Sequence, residues 1–382
     1  YMLGGTILTY LLTRNVTKAM AVLMVDFSCA LKLAMPIAVL SAMRESNDYN
    51  ISVKGGRFLE AVANANTVVF DKTGTLTYAT PKVAEIVTFG NHTENEMLRL
   101  AACLEEHYPH SIANAVVDEA KKRGLSHEEY HSEVKYVVAH GISSAVNNKK
   151  VIIGSYHFVF EDEGCSIPEG DEEKFHSLSS EYSHLYLCIS GELAAVICIY
   201  DPLRSEAKDA IAALHKCGIS KVVMMTGDNK KTAKAVAKIV GVDEYYAEVL
   251  PEDKANFIRS EKAKGRKVIM IGDGVNDSPA LSEADAGIAI NTGAAIAKEI
   301  ADITIASENL FEIVTLRKLS EALMARIHRN YRFIVSFNLM LIILGVSGVI
   351  LPTTSALFHN MSTLGISLKS MTNLLEAVSY TH

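Results

Sequence analysis

Thr67-Val68-Val69-Phe70-Asp71-Lys72-Thr73-Gly74-Thr75-Leu76-Thr77 is the stretch that decides how this chain reads. Residues 67–70 are β-branched and aromatic, the composition of a buried strand, and the run ends on an acid. Small residues follow at 73, 74 and 75, which leaves their backbone N–H groups free to hold an anion. The same design recurs twice. Residues 221–225 run into Thr226-Gly227-Asp228, and residues 267–271 run into Gly272-Asp273-Gly274. Helical stretches at 204–216 and 231–240 lie between them. This alternation predicts an α/β fold, a doubly wound parallel sheet whose ligands bind at the carboxyl ends of the strands. All three turns would meet at that edge. Residues 81–200 separate the first strand from the rest. They carry their own helices and alternating strands, such as 151–153 and 185–189, and read as an α+β domain inserted into the first.

A carboxylate at a strand end can attack a phosphoryl group in line when a divalent metal screens its charge. Asp71 is such a carboxylate. The plain alternative is an Asp that caps a helix after a strand. Seven residues in the order Asp71-Lys72-Thr73-Gly74-Thr75-Leu76-Thr77 argue against that. With this motif the chain resembles the P-type ATPases, ion pumps of the haloacid dehalogenase superfamily.

The resemblance implies that ATP phosphorylates Asp71. It implies that Thr226, in Thr226-Gly227-Asp228-Asn229, binds a phosphoryl oxygen, and that Lys254, in Pro251-Glu252-Asp253-Lys254, neutralises phosphate and carboxylate. In Gly272-Asp273-Gly274-Val275-Asn276-Asp277, Asp273 would be a magnesium (Mg2+) ligand beside Asp71 and the Thr73 carbonyl. Lys72, Gly227, Asp228, Asn276 and Asp277 complete the expected catalytic set. Magnesium keeps several waters, so few carboxylates suffice. Asp201-Pro202-Leu203-Arg204 matches the family's hinge back into this domain. Hydrolases of the superfamily usually carry a second Asp two positions after the nucleophile, where this chain has Thr73. Without that base an aspartyl phosphate is not quickly hydrolysed in place, which suits a pump better than a phosphatase. A membrane-tethered phosphatase is the rival reading, and release of phosphate from small phosphate esters would favour it. A non-catalytic scaffold is a second rival, against which Asp71, Lys254, Asp273 and Asp277 are all present.

Glu105-Glu106-His107-Tyr108-Pro109-His110-Ser111 resembles the His-Pro motif of the heavy-metal-transporting branch. The resemblance makes His110 a contact to ATP and Glu105 its acidic partner, with Ser111 in place of the usual Pro. Gly141, in Ala139-His140-Gly141, and Gly154, before Ser155, stand where that branch has nucleotide-binding glycines. Glycine permits close backbone approach to a ligand. A surface His and ordinary turn glycines are the alternative.

Hydrophobic residues make up 49% of the 382, concentrated at the two ends. The net charge of -7 gives no basic footprint, so no nucleic acid is expected as a partner. The six cysteines form no CxxC pair, which fits a reducing cytosol for the middle. Residues 19–43, 333–351 and 353–375 can each cross a lipid bilayer, the first and third only if their polar residues face a protein interior or an ion path. Buried core helices are the alternative. Pro352 would join the last two as an antiparallel hairpin. Arg44, Lys54, Arg57, Arg326, Arg329 and Arg332 flank the middle and place it in the cytosol, although Arg14 and Lys18 work against this.

Ser28-Cys29-Ala30-Leu31-Lys32-Leu33-Ala34-Met35-Pro36 resembles the branch's Cys-Pro-Cys segment with one cysteine kept. A thiolate suits soft cations, whereas a lone buried Cys is otherwise a small apolar residue. Asn338, His359, Met361 and Ser362 add polar or soft groups in spanning stretches. Together with Cys29 they are the candidates for the transported ion, a transition-metal cation whose identity stays open.

The expected division is a transmembrane region at 1–45, a phosphorylation domain at 46–80 and 201–325, a nucleotide-binding domain at 81–200, and a transmembrane helix pair at 326–382. The expected protein is a multi-pass integral membrane protein of the cell membrane. The chain opens on Tyr1 and contains no Thr-Gly-Glu loop, so the resemblance implies a missing N-terminal half of the same pump, with its actuator domain and early helices.

Overall fold

The computed structural model describes residues 2–78, 80–106, 111–125, 135–137, 141–146, 148–179, 182–273, 277–290, 299–306 and 309–375. The chain forms two compact units, one of Asn66–Ala301 with Glu308–Leu310, the other of Tyr1–Ala65, Asp302–Ser307 and Phe311–His382.

In the first unit five strands lie in the order Ala286–Ile290, Val268–Gly272, Thr67–Asp71, Lys221–Met225, Glu244–Tyr246. Every neighbouring pair is parallel. The predicted strands are present within a residue of their expected bounds. The central three are buried along almost their whole length, as an apolar run covered on both faces demands. Val69, Val223, Met225, Ile258, Val268, Met270, Ala280 and Leu281 form one core. The helix Lys230–Val240 buries Ala233, Val236, Ala237 and Val240, one face at helical spacing. Asn229 caps it by accepting the Thr232 N–H at 3.0 Å, and Gly241 ends it at φ +78.

A second sheet occupies the stretch between the first strand and the rest. Its six strands run in the order Lys82–Thr88, Glu192–Tyr200, Ser183–Ile189, Lys149–Gly154, Gly141–Val146, Lys135–Val137, all antiparallel. Residues 151–154 and 185–188 are buried at every position and not at every second one. The reason is that both faces are covered. Met97, Leu98, Leu104 and Val116 of two helices pack on one face, and Phe89, Phe158, Val159 and Cys165 on the other. The two chain crossings between the sheets run side by side. Thr77 and Leu203 form an antiparallel bridge, and Arg204 Nε donates to the carbonyls of Thr75 at 2.9 Å and Thr77 at 3.2 Å. The expected hinge at residues 201–204 is thus tied to the end of the Asp71 turn.

The other unit is mainly helical: Met2–Thr13, Val16–Leu23, Phe27–Asp48, Gly56–Asn64, Phe311–Ser347 and Pro352–Ser370. Residues 19–43 are not one continuous segment. The first helix over them stops at Leu23 and the next starts at Phe27. Among the described residues one helix, Phe311–Ser347, is long and apolar enough to cross a membrane. Phe27–Asp48 carries Lys32, Arg44, Glu45 and Asp48, and Pro352–Ser370 carries Ser, Thr, His and Asn, which lowers their hydropathy. Four polar residues of Pro352–Ser370 point inward, while Thr353, Asn360 and Lys369 are exposed. Ser355, His359, Ser367 and Ser370 are its buried residues, while Leu357, Phe358, Met361, Leu364 and Leu368 are exposed. Phe311–Ser347 likewise buries Asn330 and Asn338 and exposes Phe333, Leu339, Met340 and Ile343. A Cβ on Gly345 would lie 2.6 Å from the Ala21 Cβ, so a small residue lets these two helices touch.

Candidate active site

Parallel pairing brings the carboxyl ends of three strands to one edge. Asp71 is level with Met225, and Phe70 with Ile271, so Asp71, Thr226 and Asp273 emerge side by side. Lys254 reaches them from the helix Pro251–Ala263, which Pro251 opens and Asp253 caps by accepting the Leu250 N–H. Lys254 Nζ donates to Asp71 Oδ1 at 2.6 Å and to Asp277 Oδ1 at 2.7 Å. All three residues are buried. Burial works against the charge on Lys254, but Asp71 and Asp277 outweigh it and hold the ammonium well above its usual range. Burial, with the neighbouring Asp277 charge, pushes the Asp71 carboxyl up to about 7 against the pull of Lys254. Burial raises Asp277 as well, and Asp273 adds to the rise.

Two buried carboxylates therefore share one ammonium, with the Asp273 charge near Asp277. Asp277 Oδ2 is also buried without a hydrogen-bond partner. A surplus of negative charge and an orphaned oxygen fit a hard divalent cation with oxygen ligands. Gly272 keeps the pocket open, because a Cβ there would lie 2.5 Å from Asp277 Oδ2 and 3.1 Å from its Cγ. Gly272→Ala should displace Asp277 and weaken magnesium binding by roughly ten-fold. A calorimetric magnesium titration checks this, and an unchanged affinity would refute the crowding argument.

The turn after Asp71 differs from expectation in one respect. Gly74 has φ +73, which glycine adopts without strain, but its N–H is not free. It donates to Thr77 Oγ1 at 3.0 Å. Lys72 forms a buried ion pair with Asp228. Asp228 Oδ1 also accepts from the Ser183 hydroxyl at 2.8 Å. Burial opposes the ionisation of Asp228, but Lys72 and the hydroxyls of Ser183 and Thr226 outweigh it and hold its carboxyl below the usual range. Thr226 is buried, and its Oγ1 accepts the Asp228 N–H at 3.1 Å. Gly227 has room for a side chain, since a Cβ there would meet only the Val249 carbonyl, at 4.0 Å. Asn276 lies outside the described residues.

On the inserted sheet, Gly141 and Gly154 are cross-strand partners. What crowds Gly141 is protein: a Cβ there would meet the Phe158 ring at 2.4 Å and the Ile153 carbonyl at 2.5 Å. Its lack of a side chain serves packing, whatever else lies nearby. Glu105 is buried at the end of the helix Glu94–Glu105. His110 lies outside the described residues.

Of the ion candidates, the helical unit brings Asn338 and His359 together. Both are buried, with His359 Nδ1 and Asn338 Oδ1 3.1 Å apart. Ser362 Oγ donates to the His359 carbonyl at 2.8 Å. Met361 is 61% exposed and does not join them. Cys29 is exposed, and its Sγ donates to Asp26 Oδ2 at 3.0 Å. Asn338 Nδ2, Ser355 Oγ and Ser367 Oγ are buried without partners. Sequence reading missed Gly272, Ser183 and Thr232 as parts of the site. Gly272 was legible in the motif; the other two gave no local signal.

The family described as haloacid dehalogenase-like hydrolase matches residues 65–285. The chain is 35% identical over 374 residues to a probable copper-exporting P-type ATPase of Mycobacterium tuberculosis, covering 96% of this chain and 48% of that protein. It is 33% identical over 366 residues to a zinc-exporting P-type ATPase of Mycobacterium marinum, covering 95% and 50%. The chain thus spans about half the length of the curated relatives it matches. Among solved structures, a zinc-transporting PIB-type ATPase in an E2.Pi state is similar with a TM-score of 0.70 and 28% identity, over 97% of this chain and 60% of that one. The catalytic domain of the CPx-ATPase CopB-B is similar with a TM-score of 0.58 and 29% identity, over 73% and 98%.

Proposed function

The chain belongs to the haloacid dehalogenase-like hydrolases, and we propose that it carries the catalytic half of a metal-exporting P-type ATPase. The observation that carries this reading is Lys254 Nζ bridging Asp71 and Asp277 at the carboxyl edge of the sheet. Asp71 is the nucleophile. One of its carboxylate oxygens attacks the γ-phosphorus of ATP, the bond from that phosphorus to the bridging oxygen breaks, and ADP leaves with the electron pair. Lys254 holds the Asp71 carboxylate in place and offsets charge as the acyl phosphate forms. Thr226 supplies a hydroxyl beside the same edge. Asp71, Asp273 and the Thr73 carbonyl would hold magnesium, which supplies charge neutralisation between carboxylate and phosphate. Water later attacks the phosphorus and returns the carboxylate and inorganic phosphate. Thr73 is a poor base for that step, so it falls to a group outside this site.

Residues 81–200 act as the nucleotide-binding domain, with Glu105, His110, Gly141 and Gly154 as its ATP contacts. Residues 46–80 and 201–325 act as the phosphorylation domain, and both face the cytosol. Residues 1–45 and 326–382 lie in the cell membrane and work with the rest of the pump. The buried Asn330, Asn338, Ser355 and His359, beside outward apolar residues of Phe311–Ser347 and Pro352–Ser370, support this, because buried polar groups in a lipid-spanning bundle are costly unless used. The cargo is a transition-metal cation, handled by Asn338, His359, Ser362 and Cys29. Copper and zinc are the cargo in the names of the relatives.

In the full-length protein, His359→Ala and Cys29→Ala should each remove metal-stimulated ATP turnover. Each should spare phosphorylation of Asp71 by inorganic phosphate, which runs hydrolysis in reverse and needs no cargo. A screen with copper(I), zinc, cobalt and manganese reads both the cargo and the loss. Unchanged stimulation in both variants would remove these residues from the ion path.

A further inference from the structure

Lys72 and Asp228 stand on the parallel sheet, yet their ion pair is completed from the other sheet. Ser183 begins the strand Ser183–Ile189. Its hydroxyl donates to Asp228 Oδ1 at 2.8 Å and accepts from Lys72 Nζ at 3.4 Å. The residue before it makes a second tie, because the Tyr182 carbonyl accepts from Thr232 Oγ1 at 2.9 Å. Thr232 is buried in the first turn of the helix Lys230–Val240. Two adjacent residues at the start of this strand thus hold Lys72, Asp228 and Thr232 together.

The energetics make this grip specific. The Lys72 and Asp228 side chains are 6% and 14% exposed. A pair so buried is stable only when its remaining donors and acceptors are satisfied. The Ser183 hydroxyl meets that need at Asp228 Oδ1. Its removal leaves Asp228 Oδ1 short of a partner and takes away a tie between the two sheets.

We propose that Ser183 is a positioning residue for phosphoryl transfer: by completing the Lys72–Asp228 pair it holds the inserted sheet against the turn after Asp71, so that ATP bound to that sheet reaches Asp71. The inference rests on the reading of Asp71 as the ATP-phosphorylated residue and of residues 81–200 as the nucleotide domain. Ser183 touches neither phosphate nor nucleotide in this role. It acts through Lys72 and Asp228.

The test uses the full-length protein and two routes to the same phosphoenzyme. ATP-driven labelling needs the inserted sheet closed over Asp71, whereas labelling by inorganic phosphate does not. Ser183→Ala should slow single-turnover phosphorylation at saturating ATP by roughly ten-fold. It should leave the extent of labelling by inorganic phosphate unchanged, and Ser183→Thr, which keeps the hydroxyl, should restore the ATP-driven rate. A merely structural role would lower both routes together. Three results would overturn the proposal: a wild-type rate in Ser183→Ala, an equal loss by both routes, or a slow Ser183→Thr variant. If the wild-type protein forms no phosphoenzyme from ATP, the functional reading itself fails. If it does and Ser183→Ala matches it, only the Ser183 inference fails.

Discussion

On the proposed function, Asp71→Asn should abolish the acid-stable, hydroxylamine-sensitive phosphoenzyme expected of the full-length protein with ATP and magnesium. The expected loss exceeds about a thousand-fold, because the group removed is the nucleophile itself and not a helper. An amide has nearly the shape of a carboxylate but lacks the anionic oxygen that attacks phosphorus. The product linkage is an acyl phosphate, which hydroxylamine cleaves because its carbonyl is open to a nitrogen nucleophile. The fold should survive. Lys254 Nζ retains Asp277 Oδ1 at 2.7 Å, and an Asn amide oxygen still accepts from it. Acid-quenched labelling with radioactive ATP, alongside circular dichroism of the variant, makes the measurement. Equal labelling of the Asn variant would sink the assignment.

Lys254→Ala should damage both stability and chemistry. Asp71 and Asp277 are 2.6 Å and 2.7 Å from the one ammonium they share. Without it two buried carboxylates repel each other with no cation between them. Breaking a buried ion pair by removing one partner costs about 3–5 kcal/mol. Phosphorylation by ATP should fall by at least roughly a hundred-fold, since the charge that offsets the developing acyl phosphate is gone. Added magnesium should recover part of the lost thermal stability, because a divalent cation that binds only the folded state stabilises it by mass action. Thermal unfolding of wild type and variant, with and without magnesium, reads this directly. A variant that unfolds like the wild type and labels normally would show that Lys254 is not the shared counter-ion.

Much of the catalytic edge was legible from the order of residues. A β-branched run ending in Asp71, and two more apolar runs ending in Thr226-Gly227-Asp228 and Gly272-Asp273, read as parallel strands with turns at one edge. The parallel register then brings those turns level. Lys254 was legible only through the family pattern, since nothing local in Pro251-Glu252-Asp253-Lys254 says which carboxylates it meets. The inserted strands were misjudged as alternating because alternation belongs to a sheet with one wet face, and here helices and aromatic residues cover both faces. Gly141 reads in the sequence as a place for a ligand, and the structure adds a packing reason for glycine there that the sequence does not carry, the Phe158 ring and the Ile153 carbonyl beside it. The break at residues 24–26 escaped a hydropathy reading, which sees an apolar stretch and not the backbone within it.

The sequence by itself determined the local chemistry: which strand ends in an acid, which turns are small enough to hold phosphate, which end segments are apolar. These features depend on near neighbours in the chain, where backbone preference and side-chain period act. The tertiary structure alone decided the pairings between distant residues. Lys254 lies 183 positions from Asp71, Ser183 lies 111 from Lys72, and His359 meets Asn338 across two helices. Charge and hydrogen bonding in a buried site depend on distance in space, and a chain order fixes that distance only after sheet register and helix packing have been set.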